Sequence, residues 1–406
     1  MKDKELSDKE FIESIISDFS KDKGDDLSVK DLLKAYEIKY VEIESLLSGL
    51  KNFYENIFLI DARSEKEFSD TSIPFAKNFP LLTNEERHYV GIIYKKYSQS
   101  AAIKLALKYA IPKSEELKNF LKINDAQNKK IIVHCWRGGG RSAYLSKMIS
   151  DLGYEVEVLS GGIKSLRREI NKFFDLDKFP FELIEISGLT GCGKTELLKS
   201  VSAILPVIDL EFAARHFSSL LGHIPFEIKG VKKVTGQSEF ENNIYSQIRL
   251  NNSEYCAYDN LNYPFLIESE SRRVGNFTVP EVLYKGMESA PSIKLTGSMN
   301  SRVNRIVNDY FSDKEKGIEL MAELFMTKGK FFKQQLSNKI FDELLLLLER
   351  GDVFNFTEIM IRDYYDKRYR EKKKIPVTEI NSDNMEEASV ELTDLYQKKY
   401  LLHSSI

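Results

Sequence analysis

A cysteine followed by three glycines and two arginines is the part of the sequence best suited to covalent chemistry. Segment 131–142 is Ile-Ile-Val-His-Cys-Trp-Arg-Gly-Gly-Gly-Arg-Ser, an apolar strand-like run that ends at Cys135 and leads into a helix-like pattern. Glycines let successive backbone N–H groups point inward, and a helix N-terminus adds partial positive charge. The pattern therefore predicts an anion-binding loop in which Arg137 and Arg141 favour ionisation of Cys135 to a thiolate nucleophile. A buried structural cysteine beside a turn is the alternative.

A second glycine-rich loop, residues 187–195, is Ser-Gly-Leu-Thr-Gly-Cys-Gly-Lys-Thr. It follows an alternating strand pattern and precedes a helix pattern, which is the context that the Walker A phosphate-binding motif requires. Backbone N–H groups would hold a di- or triphosphate, Lys194 would neutralise it, and the Thr195 hydroxyl is a candidate ligand for Mg²⁺. The predicted phosphate-binding residues are Gly188, Thr190, Gly191, Gly193, Lys194 and Thr195.

A carboxylate for that metal ion should come from the end of another strand. The strand-like run that begins at Phe265 ends in a charged cluster made of Glu268, Glu270, Arg272 and Arg273. Beside a phosphate loop, the glutamates would support the metal ion, and the arginines would reach the leaving phosphates or a nucleic-acid backbone. A solvated ion-pair cluster that contributes little energy is an equally good interpretation.

Length and composition indicate a globular protein of two or three domains. The 406 residues are 42% hydrophobic and 30% charged, with no apolar run of about 18 residues and no apolar signal core at the N-terminus. We therefore expect a cytoplasmic protein that does not associate with membranes. Cys135, Cys192 and Cys256 lie far apart, which argues against disulfides and structural zinc. The net charge of -3 neither indicates nor excludes a nucleic-acid partner.

The predicted elements divide the chain into three parts of an α/β protein. Residues 1–50 are charged and helically patterned, which predicts a helical N-terminal extension of unassigned role. Residues 51–178 alternate strand and helix patterns, which predicts a domain with a parallel sheet. Residues 179–406 predict a P-loop NTPase-like α/β domain with a helical C-terminal part. Within it, segment 361–374 interleaves basic residues with tyrosines, which suits nucleic-acid contact or a solvated helix face.

Several motifs in the first of these domains resemble the rhodanese family. They are Asp61-Ala-Arg63 after a strand, Ile73-Pro-Phe-Ala-Lys-Asn-Phe-Pro80, the cysteine loop, and Val158-Leu-Ser-Gly-Gly162. The resemblance implies that Cys135 carries sulfur or selenium as a persulfide-type intermediate, and that Arg137 and Arg141 hold the anionic donor. It also implies that Asp61 and Arg63 brace the loop, although a surface ion pair would show the same pattern.

The spacing of the cysteine loop departs from that of many sulfur-transferring rhodaneses. Here Arg141 lies six positions after Cys135 instead of five. The same spacing occurs in cysteine phosphatases, including those that share the rhodanese fold. A longer loop fits a tetrahedral phosphate-like ion, so the loop alone leaves both chalcogen transfer and phosphate-ester hydrolysis open.

The combination of both domains resembles the tRNA 2-selenouridine synthase family over about residues 52–370. The resemblance rests on the two loops and on the segments 81–95, 161–168, 209–211, 268–275 and 280–284. It implies replacement of sulfur by selenium in a wobble 2-thiouridine of tRNA. It further implies S-geranylation from geranyl diphosphate, followed by selenation from selenophosphate. Expected partners are tRNA, these two small anions and a selenophosphate-producing enzyme as donor. No cofactor other than Mg²⁺ is expected.

Two other enzyme classes agree with parts of the sequence. A cysteine phosphatase of rhodanese fold with a nucleotide-binding domain fits the loop spacing. An ATP-dependent tRNA thiolation enzyme fits a P-loop beside a sulfur-handling cysteine. For the P-loop itself we predict diphosphate binding without obligatory ATP hydrolysis, because the sequence around it offers no clear catalytic base.

Overall fold

The computed structural model describes residue 13 and residues 28–33, 36–250, 263–369 and 374–400. These residues form two units that divide between Asn171 and Lys172. No helix among them is long and apolar enough to cross a membrane. The predicted α/β class, with two successive parallel-sheet domains, is confirmed.

The first unit is built on a five-stranded sheet in which all neighbouring strands are parallel. The strand order is β1-β5-β4-β2-β3. The strands are β1 Lys39–Val41, β2 Ile57–Asp61, β3 Lys77–Asn78, β4 Lys130–His134 and β5 Val156–Leu159. The central strand β4 is almost wholly buried, because helices cover both faces of a parallel sheet.

The helices of this unit include two that pack together after β3 and one that follows the cysteine loop. The α-helices are Val29–Leu32, Ile43–Phe53, Glu65–Asp70, Asn84–Lys96, Gln99–Ala110, Ser114–Ile123, Gly140–Asp151 and Ile163–Phe174. Short 3-10 turns lie at Tyr54–Asn56, Ile111–Lys113 and Ala126–Asn128. The helix at Glu65 begins with a capping box, in which the Ser64 N–H donates to Glu67 Oε2 at 3.2 Å.

The boundary predicted at residue 51 differs from the structure. Strand β1 pairs in parallel with β5, and the helix Ile43–Phe53 packs on the same sheet, so residues 39–50 belong to the first domain. The predicted helical extension over residues 1–50 is therefore interrupted by this strand. A three-residue edge strand is too short to give an alternating pattern, and long-range pairing overrides local propensity. The helices predicted in residues 1–27 lie outside the described residues, apart from position 13.

The second unit contains another five-stranded parallel sheet, in the order β12-β11-β6-β8-β7. Its strands are β6 Leu183–Gly188, β7 Val207–Ile208, β8 Phe265–Glu268, β11 Ser292–Thr296 and β12 Thr378–Asn381. A separate antiparallel pair consists of β9 Arg273–Val274 and β10 Phe277–Thr278. The P-loop follows β6, the middle strand, and β8 ends beside it.

Helices surround this sheet and build an additional helical part between β11 and β12. The α-helices are Lys194–Val201, Leu210–Ala214, Ile224–Ile228, Gln237–Arg249, Glu281–Ser289, Met299–Tyr310, Lys314–Thr327, Gly329–Leu336, Asn338–Glu349, Val353–Ile359, Asp366–Arg368 and Met385–Tyr400, with a π-helix at Met360–Tyr365. The helix with five consecutive leucines buries only one face. Leu344 and Leu348 are in the core, whereas Leu346 is 43% exposed.

Candidate active site: two glycine-rich loops

The cysteine loop lies between β4 and the helix that starts at Gly140, as predicted. Gly138 has a φ of +67°, a left-handed conformation that costs glycine little. The segment after β5 closes on the loop, because the Ile163 N–H donates to the Cys135 carbonyl at 2.9 Å. A Cβ at Gly162 would lie only 2.3 Å from that carbonyl oxygen. Only glycine fits at residue 162, because any side chain there would collide with the backbone of the cysteine loop.

Cys135 has the surroundings of a thiolate. Its side chain is buried, and its Sγ lies 3.2 Å from the Ser142 hydroxyl oxygen. Burial alone would raise the pKa of the Cys135 thiol. The hydrogen bond with Ser142, the charge of Arg141 and the backbone N–H groups of Ser142 and Arg137 together lower it. This environment is that of an activated thiol and differs from the apolar surroundings of an inert cysteine.

Arg141 is held in place by Glu67, which was not among the predicted site residues. Its Nη1 donates to Glu67 Oε2 at 2.6 Å, and its Nη2 donates to Oε1 at 3.2 Å. Arg87 also pairs with Glu67, at 2.9 Å. Burial would raise the pKa of Glu67, but the contacts with Arg141 and Arg87 lower it. One anion thus orients two cations, which keeps the site positive. Arg137 is exposed at the loop.

Asp61 and Arg63 form a buried pair at the end of β2. The Arg63 Nη2 atom lies 2.6 Å from Asp61 Oδ2, and both side chains are at most 1% exposed, so the alternative of a surface ion pair is wrong. Asp61 Oδ2 also lies 3.7 Å from Nε2 of His134, the residue before the cysteine. Burial lowers the pKa of His134. The pair therefore supports the end of β4, whereas Glu67 contacts the loop arginine directly.

The P-loop has the predicted position between β6 and the helix that starts at Lys194. Gly188, Gly191 and Gly193 all have positive φ values. Such a backbone turns its N–H groups into a concave anion site at a helix N-terminus. Cys192 is buried in the core beneath the loop, and burial raises the pKa of its thiol, as suits a small filler.

Lys194 is charged and lies among carboxylates. Its Nζ donates to the Gly188 carbonyl at 3.1 Å. Burial would lower the pKa of Lys194, but the charges of Glu211, Glu270 and Glu268 raise it. The lysine is therefore available to neutralise a bound phosphate group.

Thr195 lies between two carboxyl groups. Its Oγ1 is 2.8 Å from Glu211 Oε2 and 2.7 Å from Glu268 Oε1. A threonine hydroxyl donates only one hydrogen bond, so the second contact requires a proton on a carboxyl group. Burial, with repulsion from Asp209 and Glu211, raises the pKa of Glu268 well above its ordinary value. The predicted carboxylate Glu268 is thus at the loop. Glu211 was not predicted as a site residue and entered only as part of segment 209–211, which resembles the family.

Hydroxyl and carboxylate oxygens are the ligands that Mg²⁺ prefers, and in phosphate sites it usually takes one or two carboxylates and phosphate oxygens. Among the residues described, no group of three or more His, Cys, Asp or Glu residues could hold a metal ion. Thr195 and Glu268 supply one hydroxyl and one carboxyl oxygen of the kind that such an ion takes from a protein, and Mg²⁺ at this loop stays a prediction.

Two arginines of the helix Met299–Tyr310 hold the P-loop, and the sequence interpretation missed both. Arg302 Nε donates to the Thr190 carbonyl at 2.8 Å, across 112 residues of sequence. Arg302 also makes a two-pronged ion pair with Asp366. Arg305 pairs with Glu196 at 2.9 Å. No motif marks this helix in the sequence.

Arg272 and Arg273 lie on the surface of the second unit. Arg272 pairs with Glu281 and lies 6.0 Å from the ring centroid of Tyr284. Arg273 donates to the Asn276 carbonyl at 3.3 Å. Neither residue lines the cavity at the P-loop. The geometry favours the ion-pair interpretation, and contact with phosphates or nucleic acid stays a prediction.

A cavity of about 290 Å³ adjoins the P-loop. Lys194, Thr195, Glu211, Glu270 and Arg305 surround its polar end. Aromatic and aliphatic side chains line the remainder, most of them from the helical part: Phe217, Leu221, Ile306, Tyr310, Phe311, Met321, Phe356, Met360, Ile361, Tyr365 and Tyr369. The site can therefore accept a phosphorylated molecule that also carries an apolar group.

The basic and aromatic segment 361–374 contributes to this cavity and does not present its tyrosines as a stacking surface. Tyr364 is buried beneath Arg368, whose guanidinium lies 4.7 Å from the ring centroid. Tyr365 and Tyr369 line the cavity. Lys374 pairs with the buried Glu185 at 2.9 Å. Residues 370–373 lie outside the described residues.

Fold and loops together define a class of two-domain enzyme, a rhodanese-like domain with a loop cysteine joined to a P-loop domain. The family model of the rhodanese-like domain matches residues 44–169, beginning before the boundary that we predicted. The family model described as the tRNA 2-selenouridine synthase AAA domain matches residues 181–399, more than half of the chain. The chain belongs to the tRNA 2-selenouridine synthase family, a family of tRNA-modifying enzymes.

Curated relatives agree with this assignment. The tRNA 2-selenouridine synthase of Bdellovibrio bacteriovorus is 33% identical over 276 residues, covering 67% of this chain and 70% of the relative. That of Psychromonas ingrahamii is 29% identical over 347 residues, covering 79% and 90%. That of Shewanella sediminis is 27% identical over 381 residues, covering 86% and 98%. The similarity therefore extends across both domains.

Proposed function

We propose that the enzyme replaces the sulfur of a wobble 2-thiouridine in tRNA by selenium, in two steps that use different loops. The names of its relatives support tRNA and selenium. The observation that carries the division into two steps is that one chain holds two anion sites of different chemistry. The loop of the first unit contains an activated thiol, whereas the loop of the second contains a lysine, a hydroxyl group and an adjoining apolar cavity.

In the first step, geranyl diphosphate binds at the P-loop. The loop N–H groups, Lys194 and Arg305 hold the diphosphate, and the apolar part of the cavity holds the hydrocarbon chain. The thiocarbonyl sulfur of the base attacks the first carbon of the chain, the carbon–oxygen bond breaks, and diphosphate leaves with the electron pair. The ring nitrogen loses a proton to solvent. When bound at Thr195 and Glu268, Mg²⁺ would add positive charge beside the leaving diphosphate.

In the second step, selenophosphate binds at the cysteine loop. It is a tetrahedral anion, and the loop offers inward N–H groups, Arg141 fixed by Glu67, and Arg137. The donor would come from a selenophosphate-producing enzyme. The long spacing between Cys135 and Arg141, which resembles that of the cysteine phosphatases, suits such an ion.

We assign Cys135 to attack on phosphorus and not on selenium. Bond formation between Sγ and selenium would oxidise the selenium and require an oxidant. Attack on phosphorus is neutral in redox terms: the sulfur–phosphorus bond forms, the phosphorus–selenium bond breaks, and hydrogen selenide leaves with the electron pair. Selenium then attacks C2 of the base, the carbon–sulfur bond breaks, and geranylthiolate leaves while the ring nitrogen regains a proton. Water releases phosphate from Cys135 and restores the thiolate.

The P-loop in this proposal binds a diphosphate that is consumed as an alkyl donor, so the reaction needs no ATP hydrolysis. Steady ATP turnover stimulated by tRNA would contradict this point. Incorporation of sulfide in an ATP-dependent reaction would favour a thiolation enzyme instead.

Nucleoside mass spectrometry of 2-thiouridine-containing tRNA tests the proposal. The tRNA is incubated with the protein, geranyl diphosphate and selenophosphate, and Cys135→Ser is run alongside. We expect selenouridine from the wild type and geranylated thiouridine from the variant. If neither sample changes the nucleoside, the reaction is wrong, and hydrolysis of aryl phosphates by Cys135 becomes the activity to measure.

A further inference from the structure

A second cavity, beside Cys135, is far larger than a small anion needs. Its volume is about 820 Å³, within the range of roughly 300–1,000 Å³ that is typical of small-molecule sites. The cysteine loop forms one part of its lining, and the helices Asn84–Lys96 and Gln99–Ala110 form most of the remainder. All these residues belong to the first unit, so the cavity is complete within one domain.

The two ends of this cavity differ in chemistry. Cys135, Arg137 and Arg141 lie at the polar end, together with loop glycines. Most of the remaining lining is aliphatic, with Leu82, Val90, Ile103 and the alanines Ala102, Ala106 and Ala110, and it also includes Arg87, His88, Tyr94, Lys95 and Lys96. The three alanines recur every fourth residue and therefore share one face of their helix, on which Ala106 is partly exposed and Ala102 and Ala110 are buried. Binding of a small anion alone does not require this apolar lining.

We propose that this cavity binds the ten-carbon chain of the S-geranylated base. The inference rests on the proposed function, in which the geranylthio group must lie beside the selenium donor when it leaves. With the chain along the alanine face, the carbon–sulfur bond of the base lies at the polar end, near the Cys135 thiolate and its bound anion. The apolar wall then favours the geranylated base over unmodified 2-thiouridine, because the unmodified base buries no hydrocarbon there.

This assignment gives the geranyl group two sites in succession. As the diphosphate, its chain occupies the aromatic cavity at the P-loop. As a thioether on the base, it occupies the aliphatic cavity at the cysteine loop. Geranylation thus acts as a binding handle for the second step as well as a means of making sulfur a better leaving group.

Trp136 provides a direct readout of this cavity, since it is the single tryptophan of the sequence and lines the cavity. The full-length protein is titrated with the S-methyl, S-prenyl and S-geranyl forms of the 2-thiouridine nucleoside while Trp136 fluorescence is followed. Each step of this series adds about four or five carbons and is expected to tighten binding by roughly tenfold or more. Equal affinities for the three nucleosides would overturn the inference.

A variant that fills the cavity with a larger side chain provides a second test. Ala106→Phe should abolish the preference for the S-geranyl nucleoside while alkylation of Cys135 continues. Lys108→Phe, on the exposed side of the same helix, should bind as the wild type does. If folded Ala106→Phe retains the full preference, the chain does not bind there. The wild-type series decides the point even if Ala106→Phe does not fold. Failure of the proposed function would appear separately, as absent geranylation in the tRNA assay.

Discussion

The cysteine loop and the P-loop have the same backbone plan and opposite electrostatic surroundings. Each joins a buried parallel strand to a helix N-terminus through glycines. At the cysteine loop, Glu67 pairs with the arginines, and the thiol has a lowered pKa. At the P-loop, Glu211 and Glu268 contact the hydroxyl group itself, and carboxyl pKa values are raised. The backbone therefore provides an anion cradle, and the placement of acids decides which chemistry it performs.

This difference determines what each loop needs before it works. The cysteine loop can bind an anion as it stands, because its acid is already neutralised by arginine. The P-loop places two glutamates where a diphosphate and its counter-ion would meet, so a cation that binds with the diphosphate would offset the charge of an ionised carboxyl group there. We therefore expect metal dependence at the second loop and not at the first.

The largest effect is expected from loss of the nucleophile. Cys135→Ser should lower selenation by about 10³-fold or more, because the phosphorus intermediate cannot form. Geranylation by the same variant should persist, which is its internal control. Peptide mass spectrometry of rapidly quenched wild-type protein with selenophosphate should detect phosphate on Cys135. Selenium on Cys135, in place of phosphate, would show that our assignment of the attacked atom is wrong.

Loss of the P-loop lysine should impair geranylation and leave the reactivity of Cys135 intact, the reverse of what is expected for Cys135→Ser. Lys194→Ala removes the charge that neutralises the diphosphate and should lower geranylation by about 10²- to 10³-fold. Alkylation of Cys135 by iodoacetamide should be unchanged, since that thiol belongs to the other domain. Lys199→Ala, an exposed lysine of the same helix, is the matched control and should behave as the wild type. Equal loss of geranylation in both variants would show that Lys194 has no specific role in binding the diphosphate.

The effect of Mg²⁺ on the melting temperature should show that the P-loop, and not the cysteine loop, binds the metal ion. Mg²⁺ and diphosphate together should raise the melting temperature more than either alone, because each supplies ligands or charge for the other. Glu268→Gln should lose most of this extra stabilisation, whereas Glu288→Gln, at an exposed position, should retain it. An unchanged response of Glu268→Gln would place the cation elsewhere.

The smallest effect concerns the pKa of the nucleophile. The Ser142 hydrogen bond favours the thiolate, so Ser142→Ala should raise the pKa of Cys135 and shift the pH profile of its alkylation to higher pH. Below the wild-type midpoint the variant should therefore react more slowly, and well above both midpoints the rates should converge. Ser69→Ala, at an exposed serine, should leave the profile in place. A profile of Ser142→Ala that coincides with that of the wild type would show that the hydroxyl group does not stabilise the thiolate.

The sequence was sufficient for features whose cause is local. Both loops were predicted with their flanking strands and helices, because glycines, a nucleophile or lysine, and the change from strand to helix pattern are contiguous there. Glu268 was also found, since it ends a recognisable strand. The contact between Glu67 and Arg141 could not be found in this way, because it spans 74 residues.

Features that depend on long-range packing could not be predicted in this way. Strand β1 belongs to the first sheet only through its pairing with β5. Arg302 supports the P-loop from a helix with no motif of its own, and Arg272 was favoured over it merely because it stands near a glutamate-rich strand end. Neither cavity has a sequence signature, because its wall combines ordinary core residues from separate helices.

The central claim is that each loop performs one step. The most direct test supplies Lys194→Ala with selenophosphate and tRNA whose thiouridine has already been geranylated, and measures selenouridine by mass spectrometry. We predict selenation at close to the wild-type rate, although the same variant fails on tRNA that carries only 2-thiouridine. Failure of Lys194→Ala on the geranylated tRNA, or selenation of that tRNA by Cys135→Ser, would contradict the division of labour between the two loops.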